Sequence, residues 1–299
     1  MAGVRTVLVT GVSGHVAGAM ADRLAAGGLR VRVMVRTPAQ ARIAVQAGWQ
    51  PVTGDLAAPG SLGASVDGAD LVVHAAAYLG KDKDLAQAVN VEGTRQLAQA
   101  ALAAGAGRFV HISTMSVHGD PQPDGLEEDS PLAIGAAHPY VATKAAAEVA
   151  LDTVRSRGLP TVVLRPGAIC SLVNSQWGDE LVARLRQSGW PAACHPGDVI
   201  PWVHTGDLAE MTWLAATHPA AGGETFLAVD RCVAIRDYFV PIMTALGQTF
   251  TAPDRDPVVS RCRIGKIRTV LGYVPRRAFG QTIAGLTALA RSMPAPECR

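Results

Sequence analysis

The 299-residue chain contains only five cysteines, no block of lysine or arginine, and no uninterrupted apolar run of the ~20 residues that a membrane-spanning helix needs. Each shortage removes a class of function. Cys170, Cys194, Cys232, Cys262 and Cys298 form no CxxC pair and no framework spacing. They read as small core residues of a protein kept in a reducing compartment, with Cys298 a thiol on an exposed tail. A formal net charge of +2, from 27 basic and 25 acidic residues, leaves no electrostatic footprint for nucleic acid. Stretches such as VRTVLVTGVSG are broken by arginine and glycine, and no signal peptide is legible, so the expectation is a cytoplasmic chain without a membrane segment. Eight histidines fall into no HExxH or related spacing, so no metal site is expected, and no GxSxG elbow marks a hydrolase nucleophile.

What the chain does have is apolar material, 48% hydrophobic against 17% charged residues, which suits a stable globule with a large core. Through the first half, short β-branched runs alternate with alanine-rich helical stretches: VRTVLVT, RVRVMVR, WQPVTGD, ADLVVHAA, RFVHIST and LPTVVLRP are separated by segments such as AGAMADRLAAGG and DLAQAVNVEGTRQLAQAALAAG. Strands alternating with helices predict right-handed βαβ units, and runs nearly continuous in Val, Leu and Ile predict strands covered on both faces. The fold class expected is α/β, a doubly wound parallel (Rossmann) sheet over residues 1–166. A smaller, interleaved substrate-binding lobe is expected over 167–299. Residues of roughly 198–230, where PWVHTGDLAEMTWLAATH reads as a strand and helix, are expected to return to the sheet. The Pro- and Asp-rich GDPQPDGLEEDSPLA, just before Tyr140, reads as a long loop that either borders a site or merely connects.

Two places carry chemistry. In VLVTGVSGHVAGAM, Gly11 and Gly14 lie between the first strand and the first helix, where glycine permits a tight turn and close approach to a pyrophosphate favoured by the helix N-terminus. Residues Gly11, Ser13, Gly14, His15 and Val16 are therefore candidate dinucleotide contacts. The second strand ends at Arg36, which suits a 2′-phosphate and favours NADP(H) over NAD(H). Asp55 and Leu56 after the third strand are placed at the adenine, although Gly-Asp is also a good turn. Ala75, Ala76 and Ala77 offer a small-residue path for the cofactor. In HPYVATKAAAE, Tyr140 and Lys144 are four residues apart and share a helical face.

These motifs occur in one order: TGxxGxxA from Thr10 to Ala17, GDL at Gly54, HAAA at His74, VNVEGT at Val89, HISTMSVHG at His111, PYVATK at Pro139, LRPG at Leu164 and VHTGDLA at Val203. In that order the chain, from residue 4 to about 230, resembles the extended short-chain dehydrogenases/reductases of the NAD-dependent epimerase/dehydratase superfamily, including their ketoreductase and hydroxysteroid-dehydrogenase-like branches. The resemblance implies a catalytic set of Thr114, Tyr140 and Lys144, with Ser113 and Ser116 as the other candidates for the carbonyl-binding hydroxyl. Lys144 would lower the Tyr140 phenol and hold the nicotinamide ribose. Pro166 and Gly167 join the cofactor contacts. Asn90 either supports the site or packs a helix. Tyr78, Met115, Ser116, Ala168 and Trp177 are the substrate candidates, while Trp190, Trp202 and Trp213 read as core.

The function expected is NADP(H)-dependent reduction of a ketone or aldehyde on a medium-sized, partly apolar metabolite, a polyketide, steroid, flavonoid-like or terpenoid carbonyl, by a monomer or homodimer. The alternatives are a nucleotide-sugar epimerase, dehydratase or 4-reductase, and a dinucleotide-binding regulator without turnover. Related sugar-nucleotide enzymes often carry Asn where this chain has Ala168, and a dehydratase wants acidic residues where it has Met115 and Ser116. Under the sugar reading Arg263, Arg268 or another arginine of the C-terminal lobe would meet the diphosphate.

Overall fold

The structure, a computed structural model, describes residues 5–249 and 251–293. Cys298 lies outside the described residues. The first half runs β1 (Thr6–Thr10), α1 (His15–Ala26), β2 (Arg30–Val35), α2 (Pro38–Gln46), β3 (Gln50–Thr53), α3 (Leu62–Val66), β4 (Leu71–His74), α4 (Lys83–Ala86), α5 (Thr94–Ala103), β5 (Arg108–Ile112), α6 (Pro139–Arg155) and β6 (Thr161–Pro166). The second half runs β7 (Ala168–Cys170), α7 (Asp179–Ser188), β8 (Val199–His204), α8 (Thr205–Thr217), β9 (Thr225–Ala228), β10 (Arg231–Ala234), α9 (Ile235–Ala245), α10 (Gly265–Leu271) and α11 (Phe279–Ser292).

Seven strands form one sheet in the order β3-β2-β1-β4-β5-β6-β9, every neighbouring pair parallel. The β-branched runs explain it. Val7, Leu8 and Val9 of β1 are completely buried because helices cover both faces of the sheet, so alternation with polar residues would strand a polar side chain in the core. The strand order reverses between β1 and β4, which opens a crevice at their C-terminal ends.

Three differences from the sequence expectation matter. Helix α8 does return, packing on α1 with Arg23 over the Trp213 ring at 4.5 Å and paired with Glu210 at 2.5 Å. Its strand does not: β8 pairs with β7 and antiparallel with β10 in a separate three-stranded sheet, and the seventh strand of the main sheet is β9, from TFLA. A four-residue run is too short to announce itself by pattern. Lastly, the C-terminal half is not all substrate lobe, because Ile267, Leu271 and Tyr273 join the main core with β1 and α8. The second lobe's own core gathers β7, β8, α7, α9 and α11 around Trp202, Tyr238, Phe239 and Leu286.

The long helix expected before β5 is also interrupted. Between α4 and α5 the segment Gln87–Gly93 is π-helical, an insertion often found at functional sites.

Candidate active site

At the strand-order reversal, Gly11 has φ +86° and a Cβ there would lie 2.7 Å from the backbone nitrogen of Ala76. Glycine is required at this position for both reasons. Gly14 is different: a Cβ would meet only the carbonyl of Gly11, at 3.5 Å, so the protein does not itself demand glycine. Gly14 caps α1 without a side-chain hydrogen bond, and the first turn of α1 holds no acidic residue. Free N–H groups, a bare backbone and no opposing charge are what a pyrophosphate needs. These features fit a nicotinamide dinucleotide, which Gly11, Ser13, Gly14, His15 and Val16 would hold. The third small position, Ala17, is buried in the α1–sheet contact.

Around this crevice, buried polar groups hold the loop Ala75 to Tyr78. Thr10 Oγ1 accepts the Ala76 N–H at 3.2 Å and lies 2.8 Å from His74 Nδ1, whose Nε2 lies 2.9 Å from Thr94 Oγ1. Asn90, from the π segment, accepts the Tyr78 N–H at 2.7 Å and donates to the Tyr78 carbonyl at 2.9 Å and to Thr143 at 3.0 Å. Asn90 thus binds the loop after β4 to α6 and does more than pack a helix. Burial, with help from the Lys144 charge, pushes His74 down to about 3, so it is a neutral structural group.

Tyr140 opens α6 and shares a side-chain hydrogen bond with Thr114, which stands at the end of β5 with its Oγ1 also accepting the Ser116 N–H at 3.2 Å. Burial raises the phenol above its usual 10, and the Thr114 bond opposes that. The lowering expected from Lys144 is not seen. Lys144, completely buried one turn along, instead donates from Nζ to the Ile112 carbonyl at 2.7 Å and to His111 Nε2 at 3.2 Å. Burial lowers Lys144 to about 8 against the opposing pull of Glu148. Because an ammonium only donates, His111 must carry its proton on Nδ1, a buried atom without a partner among the described residues.

One more turn along the same face comes Glu148. Its carboxylate takes the Ser113 hydroxyl and a double contact from Arg165, with Nη2 to Oε2 at 2.6 Å, both side chains 6% exposed. Arg165 Nη1 continues to His118 Nε2 at 3.2 Å and to the Glu128 carbonyl at 2.7 Å, and His118 Nδ1 reaches the Pro131 carbonyl at 3.0 Å. The network ties the long loop to α6. It also separates two of the three candidate hydroxyls: Ser113 is committed to Glu148, whereas Thr114 meets Tyr140. Spacing by four from Tyr140 through Lys144 to Glu148 was the available signal for the missed carboxylate. Arg165, inside LRPG, and His111 and His118, inside HISTMSVHG, gave none of their own.

Other expected residues are placed as follows. Arg36 is exposed just beyond β2, its N–H held by Gln40 at 2.8 Å, and its guanidinium enters no ion pair among the described residues. Asp55 accepts the Ala57 N–H at 3.0 Å, the plain turn reading, while the Leu56 side chain is 5% exposed in the core. Met115, 1% exposed, packs with Leu126, Leu227 and Val229 and is corrected from substrate contact to core. Trp177 stacks on Tyr238 at 6.3 Å in the second lobe's aromatic core, so the structure uses it for packing. Tyr78 and Ser116 stay partly exposed at the crevice. After Pro166, which ends β6, a Cβ on Gly167 would strike the Pro201 carbonyl at 2.5 Å, and Ala168 starts β7 beside Trp202. His15 reaches across to the second lobe, its Nε2 3.0 Å from Ser171 Oγ.

Comparison with known proteins agrees with this geometry. Residues 7–228 match the model of the NAD dependent epimerase/dehydratase family. The chain is 30% identical over 243 residues, 80% of this chain and 72% of the other, to a 4-hydroxy-2-methyl-3-oxo-4-farnesyl-3,4-dihydroquinoline-1-oxide ketoreductase of Stigmatella aurantiaca. It is 29% identical over 250 residues, 76% of this chain and 72% of the other, to a dTDP-glucose 4,6-dehydratase of Streptomyces niveus. A short-chain dehydrogenase/reductase superfamily protein of Agrobacterium tumefaciens, solved with bound NAD, superposes with a TM-score of 0.81 at 26% identity, covering 96% of this chain and 97% of that one.

Proposed function

The chain belongs to the NAD dependent epimerase/dehydratase family of extended short-chain dehydrogenases/reductases, and we propose that it is an NADP(H)-dependent ketoreductase of a medium-sized, partly apolar carbonyl compound. The observation that carries the reading is the pairing of Thr114 with Tyr140, while the carboxylate on the same helix face, Glu148, is engaged by Arg165 and Ser113. A hydroxyl pair activates and protonates a carbonyl oxygen. A dehydration needs a free acid and base beside it.

A bound nicotinamide supplies the hydride for the carbonyl carbon. Thr114 donates a hydrogen bond to the carbonyl oxygen as its charge grows. Tyr140, kept protonated by burial, gives that oxygen its proton. Lys144, oriented by Ile112 and His111, keeps a positive charge beneath the site below about pH 8.

Preference for NADP(H) rests on the unpaired, exposed Arg36. An apolar substrate is favoured by the exposed Leu79, Ile134, Leu172 and Val173 on segments leaving the C-terminal ends of β4, β5 and β7. The similarity to a ketoreductase supports the same choice. The comparable similarity to a dTDP-glucose dehydratase keeps a nucleotide-sugar reading as the competitor. Against it, Arg263 is paired with Glu127 at 2.7 Å and Arg268 donates to the Asp230 carbonyl at 2.9 Å.

Purified protein is expected to oxidise NADPH with aryl or polycyclic ketones and to leave UDP-, GDP- and dTDP-sugars unbound in calorimetric titration of the NADP complex. Micromolar nucleotide-diphosphate binding that competes with a ketone would overturn the ketoreductase reading. Absence of turnover with any carbonyl or sugar, despite tight cofactor binding, would favour a regulator.

A further inference from the structure

Away from the catalytic crevice, two cysteines distant in sequence meet. Cys232 lies on β10 of the small sheet, and Cys262 on the segment that leads to α10; their sulfurs are 3.5 Å apart, and the Cys262 N–H donates to Cys232 Sγ at 3.4 Å. Both are partly exposed free thiols, whereas Cys170 is buried. We propose that Cys232 and Cys262 form a reversible dithiol/disulfide site that reacts with low-molecular-weight disulfides, Cys232 attacking first and Cys262 resolving.

Geometry sets the order. The Cys262 backbone N–H points at Cys232 Sγ, with no such donor at the Cys262 sulfur among the described residues, so negative charge is stabilised on Cys232. The bonds to Cys262, its thiol foremost, bring Cys232 down to about 7 and leave Cys262 raised. Arg261 assists the thiolate and Asp124 opposes it. The Cys232 thiolate displaces one thiol from the reagent, giving a mixed disulfide. Cys262 then loses its proton, attacks the Cys232 sulfur and expels the second thiol. The balance is one protein dithiol plus one disulfide reagent, yielding one protein disulfide and two small thiols. Reaching a bond of about 2.05 Å needs the sulfurs to close by about 1.5 Å. Among the described residues the Cys262 segment meets β10 through these hydrogen bonds, while Val258 and Ser260, just before it, bond to the Val199 backbone of β8.

That segment is a strap. Its neighbours Arg261 and Arg263 bond to Leu126 and Gly125 of the long loop, and Asp124 pairs with Arg261 at 2.5 Å. Cys262 itself bridges to Leu126 and packs on the cluster of Met115, Leu126, Leu227 and Val229, in which Met115 is next in the chain to Thr114. The staple would therefore fix the loop that borders the active site to the second lobe.

The test treats the folded protein, in a Cys298→Ser background, with 2-hydroxyethyl disulfide, followed by acid quench, peptide mass spectrometry and thiol counting. Expected are a Cys232–Cys262 cross-linked peptide, loss of two thiols without a lasting adduct, and reversal by dithiothreitol. Cys262→Ser should trap the mixed disulfide on Cys232 at least ~10-fold faster than on Cys194, and Cys232→Ser should slow reaction at Cys262 by a similar factor. Lasting adducts on both cysteines of the unsubstituted pair, faster reaction at Cys262, or reaction at Cys194 with neither partner modified would overturn the proposal. The cross-link in the chain retaining both cysteines decides the matter even if a serine variant misfolds.

Discussion

Replacing Tyr140 by phenylalanine removes one hydroxyl and nothing else, so the ring's packing survives while the proposed proton donor is lost. Turnover should fall by roughly 10²-fold or more, with cofactor affinity kept, in steady-state kinetics and fluorescence titration. The neighbouring serine is the instructive contrast. Ser113→Ala takes a buried hydrogen bond from Glu148, so stability should drop by about 1–3 kcal/mol in urea unfolding while kcat changes little. If Ser113→Ala abolished turnover and Thr114→Val did not, the carbonyl-binding hydroxyl would have been misassigned. Arg36 is tested by its selectivity. Arg36→Ala should weaken NADPH by about 10- to 100-fold, ~1.5–3 kcal/mol for a lost charge-assisted contact, and leave NADH nearly unchanged. Equal losses for both would make the arginine structural.

At the scale of elements, the π segment before α5 is the unusual piece. It brings Asn90 into register with the Tyr78 backbone and with Thr143 of α6, and three hydrogen bonds then tie two sides of the crevice together. Asn90→Ala leaves the Tyr78 N–H and carbonyl without these partners, which predicts a stability loss of about 1–3 kcal/mol. Because the same loop carries Ala75 to Ala77, the cofactor Kd should rise as well. Unchanged cofactor affinity in a destabilised variant would show that Asn90 supports the helix and not the crevice. Helix α6 makes a related point. Its face at Tyr140, Lys144 and Glu148 is one phenol, one buried cation and one buried anion, answered by partners from the turn after β5, from β5 and from β6 in that order.

For the whole molecule, the buried histidines set acid sensitivity. His74 is lowered from 6.5 to about 3 and His111 lies well below 6.5, so between those limits the unfolded chain binds protons that the native state refuses. The unfolded state then holds the greater number of protons, and stability falls as pH drops through this window, by about 1.4 kcal/mol per pH unit for each histidine. Lys144 has the same sign between about 8 and 10.5, where stability rises with pH. His74→Asn should flatten the dependence between pH 6 and 4.5 by about one proton, measured by urea unfolding at several pH values. Parallel curves for both proteins would mean that His74 titrates freely.

By itself the sequence determined the layered α/β fold, the glycine turn at Gly11 and Gly14 between β1 and α1, and the shared helical face of Tyr140 and Lys144. Each depends on local rules: parallel strands need continuous apolar runs, a phosphate turn needs glycine, and a helix presents residues four apart on one face. Only the tertiary structure decided which hydroxyl is free. Ser113, Thr114 and Ser116 are equivalent as letters, and they diverge because Glu148 and Arg165, from two other elements, claim the first. Met115 was misread for the same reason, and Trp177 stacks on Tyr238, since an apolar side chain fills a core or lines a pocket according to neighbours that come from distant segments. The seventh strand and the contact of Cys232 with Cys262 belong to this second class. Long-range pairing is selected by the packing of the whole chain, and no periodicity in either partner records it.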